Sequence, residues 1–438
     1  MASSEAPQKT FNLAIVGGGI AGLILTIALL KHDIPLTIYE SAPHFGEIGA
    51  GVGFGPNASR AMDLISPSIK AAYEKCKTSN QSERCKDLFF TIRVGDARKA
   101  NKEGVVRADG TKVGETIFEM PYTTTWSRGG VHRAHFLDEL VKLIPDSVPK
   151  FGKRLVDISE ATDGSGDVVL YFADGTTAQH SAVIGCDGIK SRTRELVLGK
   201  DDPAARAVFS GKYAYRGLIP MDQAVELLGD EEARNSQIFF GYHGHVLTFP
   251  IEKGKTMNVV AFRSRETWND PNWVVRTSKE EMLSDYSGWG PTVHKIISAM
   301  QKPDIWALFN HPPAATYAKG RICLLGDAAH ATTPHQGAGA GMCIEDAYIL
   351  SSLMGEANSV EDLERVFKAY DESRRPRTQK IVKTSKEAGM LYEFELEGDD
   401  LEAVEKNMTS RMSWIWDVDL GAELEKAKQL YHGGKAKI

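Results

Sequence analysis

Three glycines and one acid, Gly17, Gly19, Gly22 and Glu40, are the residues of this 438-residue chain whose types and spacing most directly name a chemistry. They stand in FNLAIVGGGIAGLILTIALLKHDIPLTIYE, residues 11–40. G-x-G-x-x-G supplies a tight turn, a place where backbone can approach a pyrophosphate, and close packing of helix on strand. An acid about 20 residues further on can accept hydrogen bonds from a ribose 2′-hydroxyl. Together they point to an adenine dinucleotide.

Further candidates lie later in the chain. In RICLLGDAAHATTPHQGAGAGMCIEDA, residues 321–347, Asp327 closes a buried strand and the GAGAG loop runs into a helix expected to begin near Gly341. N–H groups exposed at such a helix start bind negative charge, including an anion developing on a ring system. His330 and His335 lack a nearby third ligand, so no metal is expected. In GCDGIKSRTR, Asp187 and Gly188 end another strand; Asp187 is a candidate for cofactor binding, and the arginines of the helix after it could counter phosphate charge. Arg133 opens the helix of HRAHFLDELVKLIP and faces any anion beyond that end. Arg216 lies in KYAYRGLI, where alternation puts Ala214, Arg216 and Leu218 on one face of a strand and Tyr213, Tyr215 and Gly217 on the other. An arginine on an apolar sheet face wants a partner, either a structural carboxylate or an anionic ligand.

The elements that must position these residues follow from periodicity. Phe11–Val16 and Leu36–Tyr39 are short, β-branched runs that read as buried parallel strands around a helix from Ile20 to about His32. HFGEIGAGVGFGPN, residues 44–57, is too glycine-rich for regular structure, and its place after a strand end favours a cofactor contact near Gly51. Arg154–Ile158 and Val168–Phe172 alternate as a hairpin pair, with Asp174 and Gly175 as the turn signal, leading to the buried strand SAVIGC. Residues 204–306 change character: KYAYRGLI, SQIFFGY, HVLTFPI and MNVVAF read as an antiparallel sheet able to roof a pocket. Helices fill the rest of the chain after Asp346.

Composition narrows the classes. A formal charge of −6 argues against a nucleic-acid partner, and 42% hydrophobic with 25% charged residues is ordinary for a folded chain of two domains. The five cysteines show no paired C-x-x-C spacing, which disfavours disulfides and zinc and fits a reducing compartment. Leu13–Leu30 has nearly the length of a membrane span, but its glycine cluster and the strand that follows argue against one. MASSEAPQKT lacks the basic start of a signal peptide and reads as a short tail.

The ordered motifs GGGIAG with Glu40, GCDGIKSR and LLGDAAHATTPHQGAGAG together resemble the group A flavoprotein aromatic monooxygenases of the hydroxybenzoate hydroxylase fold. YDESRRPRTQKI also matches that family's pattern. EIGAGVGFGPNA, AYRGLI and DAAHATTPHQGAGAG are most similar to salicylate hydroxylase and the fungal phenol-dearomatising monooxygenases. The resemblance implies an α/β fold: a Rossmann-like FAD-binding domain with a parallel sheet, an antiparallel-sheet substrate domain and C-terminal helices. Residues 1–85, 125–195 and 305–365 would form the first, 86–124 and 196–304 the second, and 366–438 the helices.

It further implies that Gly17, Gly19 and Gly22 hold the FAD pyrophosphate, Glu40 the adenosine ribose, and Leu155 offers backbone to adenine. Arg133 would touch the phosphate and ribityl region and Asp327 the ribityl or pyrophosphate. Pro334, Gly337, Gly339 and Ala340 would lie against the isoalloxazine. NAD(P)H and O2 are the implied co-substrates, acting through a flavin C4a-hydroperoxide that hydroxylates a phenol. Arg216 is the implied catalytic cation, with His245 and Tyr242 beside it in the pocket. Phe249 stands where the dearomatising enzymes carry a tyrosine, which favours salicylate and decarboxylation to catechol over dearomatisation of a phenolic polyketide. An FAD-binding protein without hydroxylase activity is the rival of another class. A cytoplasmic monomer or homodimer without a membrane span is expected.

Overall fold

Leu13, Ala14 and Ile15 are fully buried, so the Leu13–Val16 strand has to lie inside a sheet covered on both faces. The computed structural model describes residues 9–46 and 51–433 and places this strand in a six-stranded sheet. The strand order is Ala318–Lys319, Ile322–Leu324, Ala182–Gly185, Leu13–Val16, Leu36–Tyr39 and Pro149–Lys150. All neighbours are parallel except the first pair. Leu13 pairs with both Ala182 and Leu36, so the three strands that end in Val16, Gly185 and Tyr39 bring their C-terminal ends to one edge. That edge is where open α/β sheets bind ligands. The Ile20–Leu30 helix packs one face of this sheet with the Gly339–Glu356 helix beside it.

An eight-stranded sheet forms the second layer, in the order Val274–Arg276, Asp304–Asn310, Val208–Pro220, Thr256–Ser264, Gly244–Ile251, Gln237–Gly241, Leu88–Val94 and Thr116–Pro121. It is antiparallel except where Gln237–Gly241 runs parallel to Leu88–Val94. One face carries Tyr213 and Tyr215, whose hydroxyls both donate to Asp285. The alternation anticipated for the strand therefore holds, and Arg216 is left to the other face.

The Leu363–Tyr392 helix, 30 residues long, is pinned to the Gly339–Glu356 helix by buried charges. Arg374 Nε lies 2.7 Å from Asp346 and its Nη2 2.9 Å from Glu345. Arg377 adds a contact to Glu345 at 2.8 Å, and Asn57 donates to the same carboxylate at 2.7 Å. YDESRRPRTQKI is thus a fastening between helices. Because every carboxylate here has a cation, the pairs offset the cost of burial; a lone member would not.

Several sequence expectations change. Residues 51–57 are regular: Gly51–Phe54 is a strand paired antiparallel with Gly129–His132, and Pro56–Ile65 a helix. Glycines serve there because Phe249 would lie 2.8 Å from a Cβ at Gly51 and 3.0 Å from one at Gly130. Residues 47–50 of that stretch, and 1–8 of the expected tail, lie outside the described residues. The hairpin is a three-stranded sheet, and the Asp174–Gly175 turn joins its second and third strands. The late helix begins at Gly339. All five cysteines are unpaired, and among the described residues no helix is long and apolar enough to cross a membrane.

Candidate functional site

The glycine turn is closed to any other residue. Gly17 has φ +107°, and a Cβ on it would lie 2.3 Å from the Cys186 carbonyl oxygen. A Cβ on Gly22 would lie 2.0 Å from the Gly17 oxygen, so the helix sits directly on the strand end. Gly19 is the N-cap of the Ile20–Leu30 helix, which has no capping side chain and no acid in its first turn. Its free N–H groups face the sheet edge and can take a diphosphate. Glu40 ties the glycine turn to its own loop: Oε2 accepts from Gly18 N–H at 2.7 Å and Oε1 from Ala42 N–H at 2.7 Å. The Lys153 N–H donates to the Glu40 carbonyl at 2.8 Å, which brings Leu155 alongside.

The second strand end completes the cradle. Gly326, at φ +66°, fits between Ala21 of the first helix and Cys343 of the later one. Asp327, Pro334 and Gly337 are exposed although Ala328, Ala329, His335 and Gln336 around them are buried. Gly337 has φ +59° and open space where a Cβ would be. Ala338, the N-cap before Gly339 and Ala340, also lacks a capping side-chain hydrogen bond. Two uncapped helix starts, an exposed acid and glycine-lined backbone fit a dinucleotide joined to a ring system that gathers negative charge, as FAD does.

Facing this loop, the free side of the large sheet is arranged in rows. Trp306, Ala214, Phe262, His245 and Phe240 stand opposite one another across five strands. Arg216, Val260, Leu247, Ile238 and Ile92 form the next row. Arg216 lies over the Trp306 ring, 5.1 Å from its centroid. Among the described residues no carboxylate is within ion-pair distance of it. Burial lowers its pKa, and the Arg133 charge lowers it further. Arg133, the first residue of the Arg133–Val141 helix, is thus near enough for its charge to act on Arg216.

His245 is fully buried and stacked on Phe262, with centroids 4.2 Å apart. Its Nδ1 lies 3.0 Å from a Glu393 oxygen, and its Nε2 has no partner. Glu393 also bonds Ser264 Oγ at 2.9 Å and Lys212 Nζ. Burial pushes the Glu393 carboxyl up, but the hydrogen bond and charge of His245, with Lys212, override that and take it to about 2. Burial lowers the His245 pKa, against the pull of Glu393. The Glu393 carboxylate therefore fixes a proton on Nδ1, and Nε2 is the nitrogen left to accept one. Neither Glu393 nor Lys212 stood out in the sequence, because a helix end and an alternating strand give charged residues no distinctive spacing.

Other candidates have different duties. Tyr242 sits at a hairpin tip; its hydroxyl donates to Asp399 and its ring packs on Phe394, so it is a tether away from the chamber. The Asp187 carboxylate accepts from Ser191 Oγ, from Thr193 N–H at 2.9 Å and from Thr193 Oγ1 at 3.0 Å, capping the helix after its strand. Arg194 is fully buried and donates to the carbonyls of Ala204, Ala328, Ala329 and Pro312, so its charge supports the Asp327 loop from behind. Arg192 pairs with Glu195. Gly51 N–H donates to Asn258 Oδ1 at 3.1 Å, which joins its strand to the large sheet. His330 is 2.5 Å from Asp346 and His335 packs beside His245. His132, His135 and Glu252, which the sequence did not single out, bring donor atoms within 4.8 Å of one another.

Comparison with known proteins agrees with this geometry. An FAD binding domain family matches residues 145–385. The chain is 42% identical to a 6-methylsalicylate 1-monooxygenase of Aspergillus terreus, over 96% of this chain and 92% of that protein. It is 37% identical to a salicylate hydroxylase of Pseudomonas putida, over 98% and 96%. A solved salicylate hydroxylase substrate complex superposes with a TM-score of 0.82 at 34% identity, over 97% of this chain and 98% of that one. With an FAD cradle at one sheet edge and a cationic, aromatic chamber facing it, the chain belongs to the FAD-dependent monooxygenases that hydroxylate aromatic rings.

Proposed function

We propose that the enzyme hydroxylates an ortho-hydroxybenzoate, salicylate or a ring-substituted salicylate, at the carboxyl-bearing carbon, releasing carbon dioxide and a catechol. The observation that carries this is Arg216, a guanidinium on the chamber face with no carboxylate near it among the described residues. The names of the relatives from Aspergillus terreus and Pseudomonas putida point the same way.

In this reading Gly17, Gly19, Gly22, Glu40, Leu155, Arg133, Asp327 and the Pro334–Ala340 loop hold FAD. Bound FAD, reduced by NAD(P)H and met by O2, supplies the activated oxygen. Arg216 binds the substrate carboxylate and turns the ring towards the Pro334 loop. His245 Nε2 takes the phenolic proton, and Glu393 stabilises the imidazolium that results. The phenolate makes the ring electron-rich at the carbon beside it, where attack is followed by cleavage of the bond to the carboxyl group. Phe240, Ile238, Leu247 and Phe262 exclude water from that step. Phe249 has no hydroxyl to help Arg216 hold a phenolate, which separates this chamber from a dearomatising one. The five unpaired thiols support a cytoplasmic enzyme, and the site is built within one chain, so a monomer or a homodimer would serve.

The test supplies salicylate and 6-methylsalicylate to the yellow holoenzyme and follows NADH loss, product mass and carbon dioxide. Carbon dioxide equimolar with catechol from salicylate, and with methylcatechol from 6-methylsalicylate, is expected. NADH consumption that yields peroxide alone, or a product that keeps its carboxyl group, rejects the assignment.

A further inference from the structure

Two adjoining cavities lie beyond the His245–Phe262 row, and Arg216, Leu247 and Phe240 line neither. The first, about 620 Å³, ends at Thr333 and His335, the neighbours of exposed Pro334. The second, about 560 Å³, is bordered by Trp268, Asn269 and Asp270. Arg265 and Glu266 line both and stand at their junction. Each volume is of the size that holds half of a dinucleotide or a small ligand.

Lys212 in the wall of the first cavity is paired with Glu393 and Glu395, but three further cations there are held without a counter-charge. Arg265 lies 4.7 Å from the Tyr213 ring centroid and 5.4 Å from that of Trp268. Arg263 lies over Tyr286 at 5.7 Å and gives one N–H to the Tyr242 carbonyl. Among the described residues neither arginine, nor Lys386 on the opposite wall, has a carboxylate within ion-pair distance. An exposed arginine is usually a solvated charge. One fixed between two aromatic faces, at the junction of two cavities, presents its guanidinium edge in a set place and suits a diphosphate.

Resting on the FAD-monooxygenase reading, we propose that the nicotinamide dinucleotide binds across these cavities, with its pyrophosphate on Arg265. The nicotinamide half reaches the Pro334 side of the first cavity, and the adenosine half lies in the second against Trp268. Glu266, which has no hydrogen-bond partner among the described residues, and Asp270 line the adenosine side. They accept ribose hydroxyls and repel a 2′-phosphate, so NADH is the form bound.

The experiment uses holoenzyme whose FAD content is measured first; a colourless preparation fails the FAD reading before this one is touched. ADP-ribose, which carries the diphosphate and cannot be oxidised, is titrated calorimetrically into the parent, Arg265→Ala, Arg265→Lys and Trp268→Ala. Arg265→Ala should weaken binding tenfold or more, Arg265→Lys less, and Trp268→Ala several-fold. The NADH concentration that half-saturates anaerobic bleaching should rise in parallel, while the dissociation constant for salicylate stays put. Glu266→Gln should narrow the preference for NADH over NADPH. Unchanged ADP-ribose affinity and NADH half-saturation in Arg265→Ala and Trp268→Ala overturn the proposal. So does a salicylate constant that moves with Arg265 while the NADH constant does not.

Discussion

His245 Nδ1 and the Glu393 carboxylate, 148 residues apart in sequence, meet at 3.0 Å in a site where both side chains are fully buried. The carboxylate sets which imidazole nitrogen carries the proton. His245→Ala should lower turnover by roughly 10²–10⁴, the range for losing a general base. Glu393→Gln should keep the histidine in place yet lower kcat more than it raises KM, and move the acid limb of the pH profile. An unchanged limb with an unfolded or colourless protein would mark the pair as structural. The sign is fixed: turnover is lost as pH falls and His245 becomes protonated.

Arg216→Ala should cost turnover without costing the cofactor. Loss of a donor to a charge in a dry site is worth about 2.7–4 kcal/mol, or roughly 10²–10³ in kcat. Yellow colour, FAD stoichiometry and thermal midpoint are measured with steady-state rates. Release of FAD by Arg216→Ala would make the arginine a structural one.

Gly22→Ala tests the cradle from its tightest contact. A methyl group 2.0 Å from the Gly17 oxygen forces helix and strand apart. The expected result is a protein purified without FAD and destabilised by about 1–3 kcal/mol, measured by absorbance and by denaturant midpoint.

Arg374→Met should leave Glu345 and Asp346 buried with too little positive charge. Breaking such a pair costs about 3–5 kcal/mol. Chemical denaturation checks the loss. An Arg374→Met, Asp346→Leu double variant should recover part of it, because both the charge and its counter-charge are then gone.

Stability should fall with acid in two overlapping windows. Burial, with His245 beside it, lowers His335 to about 3, so the folded protein keeps it neutral while the unfolded chain takes a proton near its ordinary pKa of about 6.5. Its contribution is present above about pH 6.5 and drains away as pH falls towards about 3. Glu393, held at about 2, adds a second loss as pH falls through the ordinary carboxylate range towards about 2. In His335→Gln the first window should flatten, as seen by urea midpoints between about pH 6.5 and 4.5.

The dinucleotide unit was readable because glycines at a strand end have few other uses, and Gly17 and Gly22 prove sterically obligatory. Arg216 was readable because alternation fixes which face a strand residue takes, and its register against Val260 confirms that face. Glu393 was not, since its partners Lys212, His245 and Ser264 come from three strands whose meeting depends on the whole sheet. Tyr242 misled for a related reason. Its strand ends one residue earlier, so at the hairpin tip alternation no longer decides where a side chain goes. Asp187 stands where a cofactor contact is expected and Arg194 has the right charge for phosphate, but the Ser191 and Thr193 donors claim the first and backbone carbonyls the second.

The long Leu363–Tyr392 helix has a mechanical consequence. Arg374 is locked to the helix that starts at Gly339 and Glu393, just past the end, to Lys212 and His245 of the sheet, so at about 1.5 Å per residue about 28 Å of helix, with Pro376 inside it, separates the two fastenings. One helix thereby ties the Gly339–Glu356 helix to the Lys212 and His245 end of the large sheet. Room for a bulkier guest then comes from trimming side chains on the sheet, since both layers are fastened to the same helix.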